Sequence, residues 1–197
     1  MRIGVLAVQG AFAEHIAALH KLKVEALPVR LPLELTGLDG LIIPGGESTS
    51  ISRLMLAYGL AGEIKKMAER GLPVLGTCAG MILLAREVPD SRLDPLGLMD
   101  ITVRRNAFGR QRESFEAELS IPALGEKTFP GVFIRAPLIE QVNDGVEVLS
   151  RLESGTIVAA RQEKLVASAF HPELSDDLRF HQYFVQLAEG REPQPGG

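Results

Sequence analysis

The chain has a single cysteine, Cys78, among 197 residues. A lone thiol excludes an intramolecular disulfide framework and fits a reducing compartment, so a cytoplasmic location is expected. Net charge is scarce too. A formal value of −4 gives no basic footprint for nucleic acid and none for an anionic membrane surface. No run approaches the roughly 20 apolar residues of a membrane span. The early run Ile3 to Val8 is broken by Gln9-Gly10, short of the roughly 7–15 apolar residues of a signal peptide. Arg2 and Ala11-Phe12-Ala13 imitate the flanks of a leader, but a first core strand accounts for the stretch better. Internal repeats, low-complexity blocks and interdomain linkers are missing, as is any His, Cys and carboxylate cluster at metal-ligand spacing. Neither a metal nor a cofactor is expected.

What is present is ordinary globular composition, 46% hydrophobic and 23% charged. That suits one domain with a sizeable core and is too short for two. A single domain is expected over residues 1–190, with a frayed tail at 191–197.

Strand and helix patterns alternate through the first half. Arg2 to Val8 is nearly continuous in apolar residues, the mark of a strand buried on both faces of a parallel sheet. Helical spacing follows over Ala11 to Leu22, where Phe12, Ile16 and Leu19 share a face. Val24 to Val29, Gly40 to Ile43 and Leu72 to Gly76 read as further strands, with helical stretches around Ile51 to Tyr58 and Ala61 to Arg70. The alternation predicts an α/β, doubly wound, flavodoxin-like sheet with helices on both faces. Past Ala85, six runs read as strands without helices between them: Ile101 to Arg105, Ser114 to Ser120, Gly131 to Arg135, Val146 to Leu149, Thr156 to Arg161 and Leu165 to Phe170. They predict antiparallel additions to the sheet and a small side ribbon. Ser175 is placed as the N-cap of a last helix, with Asp176 and Asp177 in its first turn.

Chemistry enters at Gly76-Thr77-Cys78-Ala79-Gly80, between an apolar strand and the helical run Met81 to Ala85. This is the Gly-x-nucleophile-x-Gly pattern of a nucleophile elbow, with cysteine in place of serine. A sharp strand-to-helix turn strains the central residue, and small neighbours avoid collision. The sulfur then projects at the carboxyl end of the sheet, where open α/β sheets place ligands, and at a helix start whose dipole favours negative charge. Read alone, a lone cysteine is more often a small buried hydrophobe; the flanking glycines and the strand–helix context favour the elbow.

A thiol nucleophile needs a base. His15 and His20 lie in the first helical stretch with no carboxylate arrangement to single them out, and His181 falls inside the last helix as a surface or packing residue. His171 follows the strand Leu165 to Phe170 and precedes Pro172-Glu173. Proline pushes His171 to an extended backbone, and residues i and i+2 of an extended segment point the same way. Glu173 is therefore placed to orient the ring, completing a nucleophile, base and orienter set recognised by role. The plainer reading of His-Pro-Glu is a helix-entry turn.

Pro44-Gly45-Gly46-Glu47-Ser48-Thr49 follows the third strand and leads into a helix. Adjacent glycines let backbone N–H groups face a developing oxyanion; the phosphate-loop pattern is absent. Taken in order, Pro-Gly-Gly-Glu-Ser, Gly-Thr-Cys-Ala-Gly and His-Pro-Glu resemble the triad (class I) glutamine amidotransferases. More narrowly, the chain is similar to the glutaminase subunits of two-component pyridoxal 5'-phosphate synthases. The narrower likeness rests on Val8-Gln9-Gly10 with Glu14-His15, on Arg105-Asn106-Ala107-Phe108-Gly109-Arg110-Gln111 with Ser114-Phe115-Glu116, and on Gly131-Val132-Phe133-Ile134-Arg135-Ala136-Pro137.

The resemblance implies Cys78 as nucleophile, His171 as base and acid, and Glu173 as orienter. It implies that Gly46, Glu47 and Ser48 contact glutamine, that Gly46 and Ala79 frame the oxyanion hole, and that Arg105, Ile134 and Arg135 help bind substrate. It also implies a partner, the synthase subunit that accepts ammonia and builds pyridoxal 5'-phosphate from a pentose and a triose phosphate. The residues alone reach a Cys-His-Glu hydrolase or transferase. They leave open a class I subunit with another acceptor, a stand-alone hydrolase of γ-glutamyl compounds, and a non-enzymatic cysteine redox sensor on a similar sheet.

Overall fold

In the computed structural model, which describes residues 1–90, 92–108 and 113–194, the apolar runs of the first half build a parallel sheet. Its elements are β1 (Arg2–Leu6), α1 (Phe12–Lys21), β2 (Glu25–Val29), β3 (Gly40–Ile43), α2 (Ser48–Ala57), α3 (Leu60–Glu69), β4 (Val74–Thr77) and α4 (Ala79–Leu84). Ile3, Val5, Leu41, Ile42, Val74 and Leu75 are fully buried, as strands covered on both faces require. Strands follow one another in the second half: β5 (Ala85–Glu87), β6 (Met99–Arg104), β7 (Ser114–Leu119), β8 (Phe129–Ile134), β9 (Leu138–Val142), β10 (Glu147–Arg151), β11 (Ile157–Gln162) and β12 (Leu165–Ser168), before α5 (Arg179–Ala188).

The main sheet runs β2-β1-β3-β4-β12-β11-β9-β6-β5, with β10 on β11. From β2 to β12 the pairings are parallel, and from β12 to β6 antiparallel. Helices cover both faces: α1 and α5 meet through His15 and His181, while α2 packs on α3 and α4. The class and the mixed sheet match the sequence reading. β12 pairs with β4 so that Ser168 stands beside Thr77. That register puts the chain just past each strand, Cys78 on one side and His171 on the other, at a single sheet edge.

β7 and β8 form a separate ribbon. It is tied to the core by Phe133, stacked on Phe115 at 4.6 Å and edge-on to Phe170 at 5.9 Å. The ribbon therefore lies over the edge that carries Cys78 and His171. Among the described residues no helix is long and apolar enough to cross a membrane.

Three local expectations are corrected. The last helix starts at Arg179, with Leu178 as its cap residue, and not at Ser175. Ser175 Oγ accepts from Asp177 N at 3.0 Å, and Asp177 Oδ1 accepts from Arg179 N at 3.1 Å. These side chains close two successive turns, a use of short polar groups that competes with helix. The helical run placed at Met81 to Ala85 begins at Ala79 and ends at Leu84, and Ala85 opens β5. β9 had no counterpart in the sequence reading. Of the tail, residues 195–197 lie outside the described residues; Glu192 meets the Arg161 guanidinium at 2.9 Å.

Candidate active site

Cys78 sits one residue past β4 with φ 49° and ψ −102°, a conformation strained for any side-chain-bearing residue. Its N–H donates to Ser168 O at 2.8 Å, so the neighbouring strand pins the turn. α4 starts at once and presses against β3: a Cβ on Gly80 would stand 1.9 Å from the Ile43 carbonyl oxygen. Only glycine permits that approach. The sulfur lies under the ribbon, 3.9 Å from the Ile134 carbonyl oxygen.

His171 is fixed from the ribbon side, its N–H donating to Val132 O at 2.8 Å. Its Nδ1 is 2.7 Å from Glu173 Oε1, and both side chains are buried. The expected pairing is present, but not through an extended segment. Pro172–Leu174 forms a 3-10 turn with His171 before it, and α5 begins only at Arg179, so the pair is made by a tight turn that is not itself the entry to the helix. Burial opposes charge on this ring, but hydrogen bonds to Cys78 and Glu173 outweigh it and push the pKa up to about 10. At neutral pH His171 is an imidazolium between a sulfur and a carboxylate.

The glycine turn closes the other side. Gly45 O accepts from Ala11 N at 3.0 Å. In a trans peptide N–H and C=O point opposite ways, so the Gly46 N–H points away from the start of α1, and Gly46 itself lines the cleft described below. The Ala79 N–H, first in α4, is one of those a helix leaves unused. Glu47 caps α2, its carboxylate accepting from Thr49 N at 3.1 Å and Ser50 N at 2.7 Å, while its own N–H donates to Gln9 Oε1 at 2.9 Å. Burial raises its pKa, but the hydrogen bonds from Ser50 and Thr49 prevail and hold it at about 2.

A cleft of about 790 Å³ is lined by Gly46, Glu47, Ser48, Cys78, Ala79, Arg105, Ile134, Arg135 and His171. These are all the site residues named from sequence except Glu173, which stands behind His171. Arg105 is already paired, 2.6 Å from Asp90 Oδ2 and 3.4 Å from Glu47 Oε1. Gln9, Asn106, Phe108 and Glu113 also line the cleft and were not assigned to substrate from sequence. The Gly109-Arg110-Gln111 part of the longer motif lies outside the described residues.

His15 corrects the sequence reading. It is fully buried, and its Nε2 is 3.3 Å from Glu173 Oε2 and 3.2 Å from Thr77 Oγ1. Its Nδ1 lies 2.9 Å from Nε2 of His181, which is also fully buried. A signal existed: His15 comes three residues after Phe12 and four before Leu19, on the apolar face of its helix.

Both rings are held neutral. Burial lowers the pKa of His15, reinforced by His181 and His171, and burial alone lowers His181 from 6.5 to about 4. A group with a depressed folded pKa that must be neutral stabilises fully above 6.5 and loses that contribution as pH falls toward 4. Melting temperature is therefore expected to drop between these values, with about 3 kcal/mol at stake for His181 alone. Thermal melts of wild type and His181→Phe check this. The variant should show a shallower acid limb, and parallel curves would contradict it.

A strained cysteine on a strand–helix elbow with a buried His–Glu pair, on a mixed α/β sheet, defines the class. A solved structure of a glutamine amidotransferase superposes with a TM-score of 0.91 at 50% identity, covering 95% of this chain and 98% of that one. The structure of PurLQS from Thermotoga maritima, at 19% identity, shares the fold with a TM-score of 0.67 over 94% of this chain and 97% of its own. The model of the SNO glutamine amidotransferase family matches residues 5–189, and the chain belongs to that family. Among relatives, the pyridoxal 5'-phosphate synthase subunit PdxT of Dehalococcoides mccartyi is 60% identical over 96% of this chain and 98% of its own length. The subunit of the same name from Herpetosiphon aurantiacus is 56% identical over 95% of this chain and all (100%) of its own.

Proposed function

We propose that the chain is the glutaminase subunit of a two-component pyridoxal 5'-phosphate synthase, hydrolysing glutamine to glutamate and passing ammonia to a synthase partner in the cytoplasm. The observation that carries the reaction is that Cys78 and His171 line one open cleft while His171 Nδ1 is held 2.7 Å from the buried Glu173 carboxylate. The partner follows from the relatives' name and from their near-complete coverage of the chain.

In this reading the Cys78 sulfur attacks the side-chain amide carbon of glutamine. The Gly46 and Ala79 N–H groups hold the oxyanion, and His171 gives its proton to the departing ammonia. Water then adds to the thioester, His171 takes its proton, and glutamate leaves as the sulfur is restored. Glu173 keeps the ring turned toward the sulfur. Glu47, ionised at the cleft wall, suits the substrate ammonium, and Arg135 suits its α-carboxylate.

The test is steady-state glutamate release by the full chain with and without the purified synthase subunit. Release is expected to be low alone and to rise when the partner docks. The turn has a pivot for this: directing the Gly45 carbonyl into the site would cost only its bond to Ala11 N, and glycine tolerates the change. Equal turnover in both conditions would remove the switch; no release in either would remove the glutaminase.

A further inference from the structure

Glu173 has two carboxylate oxygens, and the triad uses one. Oε1 meets His171 Nδ1 at 2.7 Å. Oε2 is buried, without an aligned hydrogen bond among the described residues, and faces His15 Nε2 at 3.3 Å. A bare carboxylate oxygen in a dry interior is costly, so the His15 nitrogen opposite it should carry a proton.

The next ring decides whether it does. The 2.9 Å contact between His15 Nδ1 and His181 Nε2 allows one proton between them. If His15 donated it, neutral His15 would turn a lone pair toward the carboxylate. His181 would then carry its proton on Nδ1, which is buried with no hydrogen bond among the described residues. If His181 donates instead, His15 Nε2 carries the proton, 3.2 Å from Thr77 Oγ1 and 3.3 Å from Glu173 Oε2, and only a lone pair is orphaned on His181. Orphaned buried N–H groups are the rarer defect, so the second arrangement wins on both counts.

We propose that His15 is a positioning residue of the glutaminase site: its Nε2–H, fixed in that tautomer by His181, holds Glu173 with Oε1 on His171. The assignment rests on the glutaminase reading above. It makes α1 a support for both halves of the chemistry. The helix follows Ala11, whose N–H holds the Gly45 carbonyl at 3.0 Å, and one turn later it supplies the donor to Glu173.

The test measures glutamate release by full-length variants in the presence of the synthase subunit, together with imidazole ¹⁵N shifts of the wild type. His15→Leu is expected to lower kcat by about 10- to 100-fold, as loss of an orienting partner does. KM should stay within about twofold. His15→Gln, whose amide nitrogen reaches close to the Nε2 position, should recover most of the loss; a merely space-filling role would leave the two variants alike. The spectrum should show His15 and His181 each protonated on Nε2 and not on Nδ1. A folded His15→Leu protein with wild-type kcat would overturn the proposal, and so would a His15 Nε2 without its proton. If His15→Leu does not fold, the spectrum and the His15→Gln rate decide. If wild type releases no glutamate, the glutaminase reading fails, and the spectrum alone still judges the tautomer.

Discussion

Cys78→Ala is expected to abolish glutamate release, by more than about 10⁴-fold if the sulfur forms the thioester. The fold should survive. The sulfur faces the cleft, so removing it opens no sealed cavity, and the melting temperature should change by the equivalent of about 1 kcal/mol or less. Glutamate release and a thermal melt on the same preparation make the measurement. Residual activity above about a tenth of wild type is too much for the loss of a covalent nucleophile. A redox sensor on the same sheet would instead show Cys78 oxidation by peroxide and no glutamate release from the wild type.

Gly45→Ala is expected to be nearly as damaging without removing any reacting atom. A Cβ there would lie 2.4 Å from His171 Cε1 and 3.3 Å from Cys78 Cβ. The first distance is a collision, and the cheapest relief is to swing the imidazole away from the sulfur. Losing a placed general acid and base costs about 10²- to 10⁴-fold in turnover. The thiol should remain alkylable by iodoacetamide, since the alanine blocks the ring and not the mouth of the cleft. Wild-type turnover in Gly45→Ala would mean that the glycine turn does not border the reacting groups as the structure has it.

Much of this architecture was legible because the signals were local. Gly40 to Ile43 is a strand at the limits read from its apolar run, and the glycines around Cys78 announced a turn that nothing larger could make. His171-Pro172-Glu173 was legible as a pair, though the reason given, an extended segment, was not the geometry found. What failed was whatever depends on partners remote in sequence. β9 (Leu-Ile-Glu-Gln-Val) carries two exposed polar residues and has no clear apolar period of its own; pairing with β6 and β11 makes it a strand. Ser175 has a cap residue's chemistry but spends it on a turn, because Arg179 is drawn out to the Lys127 and Thr128 carbonyls. His15 and His181 lie 166 positions apart, and no spacing rule joins them. Their helices had to be set on one face of the sheet before the Glu173 carboxylate could be seen between His15 and His171.

The position of β12 has a consequence for how the protein is made. Of the described strands it is the last in chain order, yet it occupies the middle of the sheet, between β4 and β11. Until it emerges, the nascent chain carries two raw strand edges, one at the end of the parallel half and one on the antiparallel half. Such edges are slow to settle and prone to stray pairing. The strand that heals them also carries His171 and Glu173 just beyond its end, so sheet closure and arrival of the base are one event. On the reading proposed above, a chain still lacking β12 has its thiol but neither His171 nor Glu173 beside it, and cannot yet liberate ammonia.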